Sequence, residues 1–206
     1  QDIEELGELI GVDLSLNAIL DPGKKIVHVL AGKPRTVMES GIPLARQICQ
    51  IPVQKLYDLM IVSPGGHPKD INIYQAQKGL AHALQVMNEG GCVLLAAACA
   101  QGSGSSHYED WVVNKNSSQE VIEEFKQLGF EIGPHKAYQI ARDSSMVNLL
   151  LYSDLDPEFA RALLLNPIQD FQTSLDKCVN SCRREGIISV GVMPYASATI
   201  PYLQNN

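Results

Sequence analysis

The chain has 206 residues, a formal net charge of -7 and 45% hydrophobic residues, enough to bury a core without disulfide or metal staples. Its acidic balance, with a pI near 5.2, argues against a surface that neutralises nucleic-acid phosphates or rests on an anionic membrane. No stretch approaches the roughly 18 apolar residues of a membrane span. The five scattered cysteines, Cys49, Cys92, Cys99, Cys178 and Cys182, read as reduced thiols of a cytoplasmic protein and not as a disulfide framework.

The chain opens on Gln1-Asp2-Ile3-Glu4-Glu5, acidic where a secretory signal is basic. Gln1 is no initiator methionine, and Glu4 to Leu9 reads as the end of a helix already under way, so the expectation is a piece of a longer polypeptide. Two apolar runs, Leu14 to Leu20 and Ile26 to Leu30, flank Asp21-Pro22-Gly23-Lys24, a turn in which one residue fixes φ and another permits positive φ. This predicts a β-hairpin.

From Tyr57 onward strands and helices alternate. The pattern predicts a strand over Tyr57 to Val62, a helix over Asp70 to Asn88 and a strand over Gly91 to Cys99. Helices follow over Ser105 to Val113, Ser118 to Leu128 and His135 to Asp143. The remainder reads as a strand over Val147 to Tyr152, helices over Asp156 to Leu164 and Thr173 to Glu185, and a strand over Ile187 to Val192. Runs such as Val93 to Ala98 are apolar or small on both faces, as central parallel strands between helix layers require. The fold class that follows is α/β: a doubly wound, Rossmann-like, mostly parallel sheet flanked by helices, with an N-terminal hairpin, taken as one domain over 1–206.

Ligands of open α/β sheets collect beyond the carboxyl ends of the strands. Two loops leave the predicted strands there. The first runs from Ser63 to Asp70 and contains Gly65, Gly66 and His67; it enters the helix at an Asn72/Gln75 pair with capping-box spacing. On that helix Ile73, Leu80, Leu84 and Met87 form an apolar stripe, opposite Gln75, Lys78, His82 and Gln85. Gln75 and Lys78 are three apart and project from nearly one side, so an acid group lodged there meets an amide, an ammonium and the positive end of the helix dipole. Tyr74 either covers such a ligand with its ring or is an ordinary boundary aromatic. The plainer alternative is a capping Gln75 beside a solvated Lys78.

The second loop, Cys99 to His107, holds Gly102, Ser103 and Gly104, whose backbone and hydroxyl donors suit a small anion. It lacks the third glycine of a dinucleotide fingerprint and the lysine of a Walker loop. His67 and His107 lie in the two loops and are candidates to approach one another. Cys178 and Cys182 share a helix face, but no further Cys or His pair completes a tetrahedral metal site.

The run Gly65-Gly66-His67-Pro68-Lys69-Asp70-Ile71-Asn72-Ile73-Tyr74-Gln75-Ala76-Gln77-Lys78-Gly79 resembles the C-terminal domain of the nickel-pincer lactate racemase family. Leu16 to Asp21, Lys25 to Val27, Ala31-Gly32, Glu89 to Gly91, and Gly102 with Gly104 extend the resemblance, which covers the first half well and the second loosely. It implies a two-domain enzyme with the active site in the cleft between domains. A nickel-pincer pyridinium mononucleotide, attached to a lysine of the N-terminal domain, would serve reversible hydride removal from a 2-hydroxy acid. The resemblance implies that Gln75 and Lys78 bind substrate, with Tyr74 and the Gly102 loop lining the cleft. The cofactor lysine, the nickel histidine and the paired acid/base histidines have no counterpart here. This chain by itself is therefore expected to bind no cofactor or metal, to supply no catalytic residue and to be inactive, with its own N-terminal domain and a small 2-hydroxy acid as partners. The rival reading is a small-anion-binding regulatory or structural module without catalysis.

Overall fold

A computed structural model describes residues 2–130, 132–182 and 186–204, with side chains from Glu5 onward. The chain divides into two compact units, residues 1–50 and 51–206.

The first unit contains α1 (Asp2–Ile10), the antiparallel strands β1 (Ser15–Leu20) and β2 (Ile26–Gly32), and α2 (Pro34–Cys49). The expected hairpin forms. The Asp21 N–H donates to the Lys25 carbonyl at 2.9 Å, the Asp21 carboxylate accepts from the Lys25 N–H at 2.9 Å, and Lys24 takes the left-handed conformation at φ 63°. The sequence pattern did not indicate α2. Pro34 starts it, where a missing N–H costs nothing, but Pro43 lies inside it, where a proline normally argues against helix.

The second unit is built on a five-stranded, wholly parallel sheet in the order β7-β6-β5-β4-β8. Its strands are β4 (Tyr57–Val62), β5 (Met87–Ala96), β6 (Asn148–Tyr152), β7 (Pro167–Ile168) and β8 (Val190–Met193). A separate pair joins β3 (Gln50–Val53) to β9 (Ile200–Leu203). The helices are α3 (Ile73–Ala83), α4 (Ser106–Val112), α5 (Ser118–Leu128), α6 (Pro134–Met146), α7 (Pro157–Ala162) and α8 (Phe171–Cys182).

Strand alternation separates two cores. Met60, Val62, Val93 and Leu95 pack to one side with Ile73, Ala76 and Leu80 of α3 and Ala137, Ile140 and Ala141 of α6. Leu59, Cys92 and Leu94 pack to the other with Cys178 of α8. A sheet buried on both faces is what the uninterrupted apolar runs required. Leu94 has no exposed surface, and trimming it to Ala would cost about 2–5 kcal/mol.

Several boundaries differ from the sequence pattern. The helix predicted over Asp70 to Asn88 is only Ile73–Ala83, because Asn72 is an extended N-cap and residues Leu84–Val86 tighten into a 3-10 turn before β5 begins at Met87. No glycine or proline marks that end, so Leu84 and Met87 read as helical. The strand predicted from Ile187 begins at Val190, where pairing with Leu59 starts; Ile187 is fully exposed. The last residues predicted for the Thr173 helix lie outside the described residues.

The cysteine reading also needs correction. Cys92 and Cys178, 86 residues apart, form a disulfide between β5 and α8, while Cys49, Cys99 and Cys182 are free. Spacing along the chain carries no sign of this pair, because only the packing of α8 on the sheet brings the two together.

Candidate functional site

The loop after β4 and the loop after β5 meet at the N-terminus of α3. Gly65 and Gly66 take positive φ, at 110° and 71°, and carry the chain from Val62 into the His67-Pro68 segment. The two loops are then laced by backbone bonds. The Cys99 N–H donates to the Asp70 carbonyl at 2.8 Å, and the Gln101 N–H donates to that of Ile71 at 2.8 Å. The Ile73 and Tyr74 N–H groups donate to the carbonyls of Gly102 and Ser103 at 3.1 and 2.9 Å. The Asn72 side chain accepts from the Gln75 N–H at 3.0 Å. The first N–H donors of α3 are thus engaged inside the fold, so an anion here is met by side chains and by the helix dipole.

Those side chains are Gln75 and Lys78. Lys78 Nζ donates to Gln75 Oε1 at 2.7 Å, so the two tips form one polar unit with the Gln75 amide N–H groups and the remaining ammonium N–H groups turned into potential donors. Lys78 is exposed and Gln75 half-buried. The reciprocal half of a capping box is replaced by this pair, since the Gln75 carbonyl faces Lys78.

Tyr74 stands beside them and is held from α6. The Gly133 N–H donates to His135 Nδ1 at 3.0 Å, which in the neutral ring places the proton on Nε2, 3.4 Å from the Tyr74 hydroxyl. In that tautomer the Tyr74 oxygen accepts from His135 and keeps its own O–H as a donor. The rings of Tyr74 and His135 meet edge to face at 5.9 Å.

Behind Tyr74 runs a buried polar chain that the sequence pattern did not indicate. Lys136 Nζ lies 4.7 Å from the Tyr74 ring centre and donates to Gln77 Oε1 at 3.1 Å and Gln139 Oε1 at 2.9 Å. Gln77 Nε2 donates to Asp143 at 2.9 Å, and Arg142 pairs with the same carboxylate at 2.6 Å. Burial and the Lys78 charge push the Lys136 ammonium below the usual lysine range, while Asp143 opposes them. Lys136 and Gln139 are a helical step apart, but nothing in the sequence ties them to Gln77.

The second loop serves mainly to position the first. Gly102 and Gly104 take positive φ, at 67° and 81°. The buried Ser103 hydroxyl donates to Glu109 at 2.5 Å and accepts the Ser105 N–H at 3.0 Å. Cys99 is buried, and its thiol is pushed up to about 12 by burial and by Asp70 and Asp154; it stays protonated at neutral pH and is no nucleophile. His67 is exposed on its loop, whereas the His107 side chain packs against Gly133 at the start of α6. Among the described residues, no group of three His, Cys, Asp or Glu side chains is arranged to hold a metal, and no helix is long and apolar enough to cross a membrane.

The amide–ammonium pair stands at the carboxyl edge of a parallel α/β sheet, the place where such sheets bind their ligands. The chain belongs to the lactate racemase C-terminal domain family, whose model matches residues 53–195. It is 28% identical over 184 residues to a lactate racemase of Thermoanaerobacterium thermosaccharolyticum, covering 86% of this chain and 43% of the relative. It is also 28% identical over 109 residues to a lactate racemase of Lactiplantibacillus plantarum, covering 53% of this chain and 26% of that protein. The fold matches the lactate racemase apoprotein structure from T. thermosaccharolyticum with a TM-score of 0.87 at 24% identity, over 97% of this chain and 48% of that one. A Thermotoga maritima protein matches with a TM-score of 0.66 at 14% identity, over 98% and 51%. The chain therefore spans less than half the length of the curated relatives it matches.

Proposed function

We propose that this chain is the substrate-gripping half of a cytoplasmic 2-hydroxy acid racemase or epimerase. The observation that carries the reading is the 2.7 Å Lys78–Gln75 pair, set on the first two turns of α3 where two strand-to-helix loops converge. The Lys78 ammonium would take the carboxylate, the Gln75 amide would fix a second oxygen of the acid, and the Tyr74 O–H would reach the ligand from the side held by His135. These groups bind and orient, so the carbinol carbon is presented in one place whichever enantiomer is bound.

The described residues do not fit a nickel site, and the family resemblance assigns the nickel-pincer nucleotide to an N-terminal domain beyond this chain. When bound, that group would supply the hydride acceptor and donor. Every role assigned here is substrate binding.

Lys78→Ala in the full-length polypeptide should raise KM for the hydroxy acid and lower kcat/KM about 10- to 100-fold, the range for losing one charge-assisted contact of about 1.4–2.7 kcal/mol. Unchanged kinetics would sink the assignment. Calorimetry of residues 1–206 with lactate separates the rival reading: a half-site binds weakly alone, whereas a sensor module must bind tightly without its partner.

A further inference from the structure

Lys136 is 7% exposed, and burying an ammonium costs more than burying an apolar side chain of the same length. A tie between α3 and α6 does not need that charge, since the Gln77 amide already donates to Asp143 across the same contact. Two features give the charge a use. The ammonium lies over the Tyr74 ring at 4.7 Å, on the residue next to Gln75. It also feels the charge of the exposed Lys78, which stands one helical turn beyond Tyr74 on the same helix and lowers the Lys136 ammonium further.

We propose that Lys136 is a buried second cation of the anion site, positioning Tyr74 and adding its charge to that of Lys78 behind a bound carboxylate. In the empty site the two ammonium groups repel. A carboxylate at Lys78 offsets that cation's charge, so the repulsion felt by Lys136 in the free protein is relieved in the complex. Lys136 itself need not touch the ligand. Its two amide acceptors fix the ammonium, the ammonium fixes the Tyr74 ring, and the Asp143–Arg142 pair at the far end of the chain of bonds keeps Gln77 from turning away.

The inference rests on the substrate-gripping reading, and the comparison of lactate with its uncharged amide, lactamide, tests it. In the full-length polypeptide, Lys136→Met should weaken lactate binding about tenfold, measured by calorimetry, and weaken lactamide, which loses only the Tyr74 positioning, by no more than about threefold. A purely structural role would weaken both ligands alike, and that result, or no loss for lactate, overturns the proposal. Should Lys136→Met fail to fold, Lys136→Gln removes the charge while keeping an amide donor, and the same comparison applies. Failure of both to fold assigns Lys136 to stability alone and also overturns it. If the unaltered protein binds lactate but does not interconvert its enantiomers, the racemase reading falls and the lactate–lactamide comparison still decides the role of Lys136. If it binds no lactate, both fall.

Discussion

Gly104→Ala probes how the second loop sets the substrate-binding helix. Gly104 sits at φ 81°, and a Cβ there would overlap the Asn72 side-chain amide, 2.5 Å from its nitrogen. Two costs follow. An alanine in the left-handed region costs about 1–2 kcal/mol, and moving the Asn72 side chain aside removes the N-cap on the Gln75 N–H, about 1 kcal/mol. The sum, about 2–3 kcal/mol, should lower Tm by about 5–10 °C for a chain of this size. Thermal and urea unfolding of Gly104→Ala, Asn72→Ala and the double variant separate the two parts. With Asn72 already trimmed, Gly104→Ala should cost only the backbone part, so the double variant should be less destabilised than the sum of the singles. Full additivity, or a Gly104→Ala cost below about 0.5 kcal/mol, would refute the idea that these loops meet through the Asn72 cap.

Asp58 gives a pH signature. Its carboxylate accepts from the Ser189 N–H and hydroxyl at 2.8 Å each and from the Asn88 amide at 2.7 Å, bonds that hold it below the usual carboxylate range. A depressed folded value stabilises the fold above the unfolded pKa, about 3.9, and that stability is lost as pH falls through the folded value. Asp58→Asn should therefore cost about 1–3 kcal/mol at pH 7 and progressively less below pH 4, read by urea unfolding; an equal penalty at pH 7 and pH 3 counts against this account. Thiol alkylation in denaturant without reductant should modify Cys49, Cys99 and Cys182 but spare the Cys92–Cys178 pair. Modification of all five would mean that the bond is absent, as the cytoplasmic expectation has it.

What the sequence determined by itself is local. The Asp21-Pro22-Gly23 turn, the double-sided apolar strands, the Asn72 cap and the Ser118 to Leu128 helix depend on residues within a few positions of each other, and their physics is written in that spacing. The Gln75–Lys78 pair was legible for the same reason, since one helical step joins them. Two decisions belong to the tertiary structure alone. Cys92 meets Cys178 only because α8 packs on the face of the sheet opposite α3, and Lys136 leaves solvent only because α6 lays it against Gln77 and the Tyr74 ring. On an isolated helix that lysine is an ordinary solvated cation. Desolvation and the nearby Lys78 charge, neither of which any local spacing encodes, make it a different chemical group.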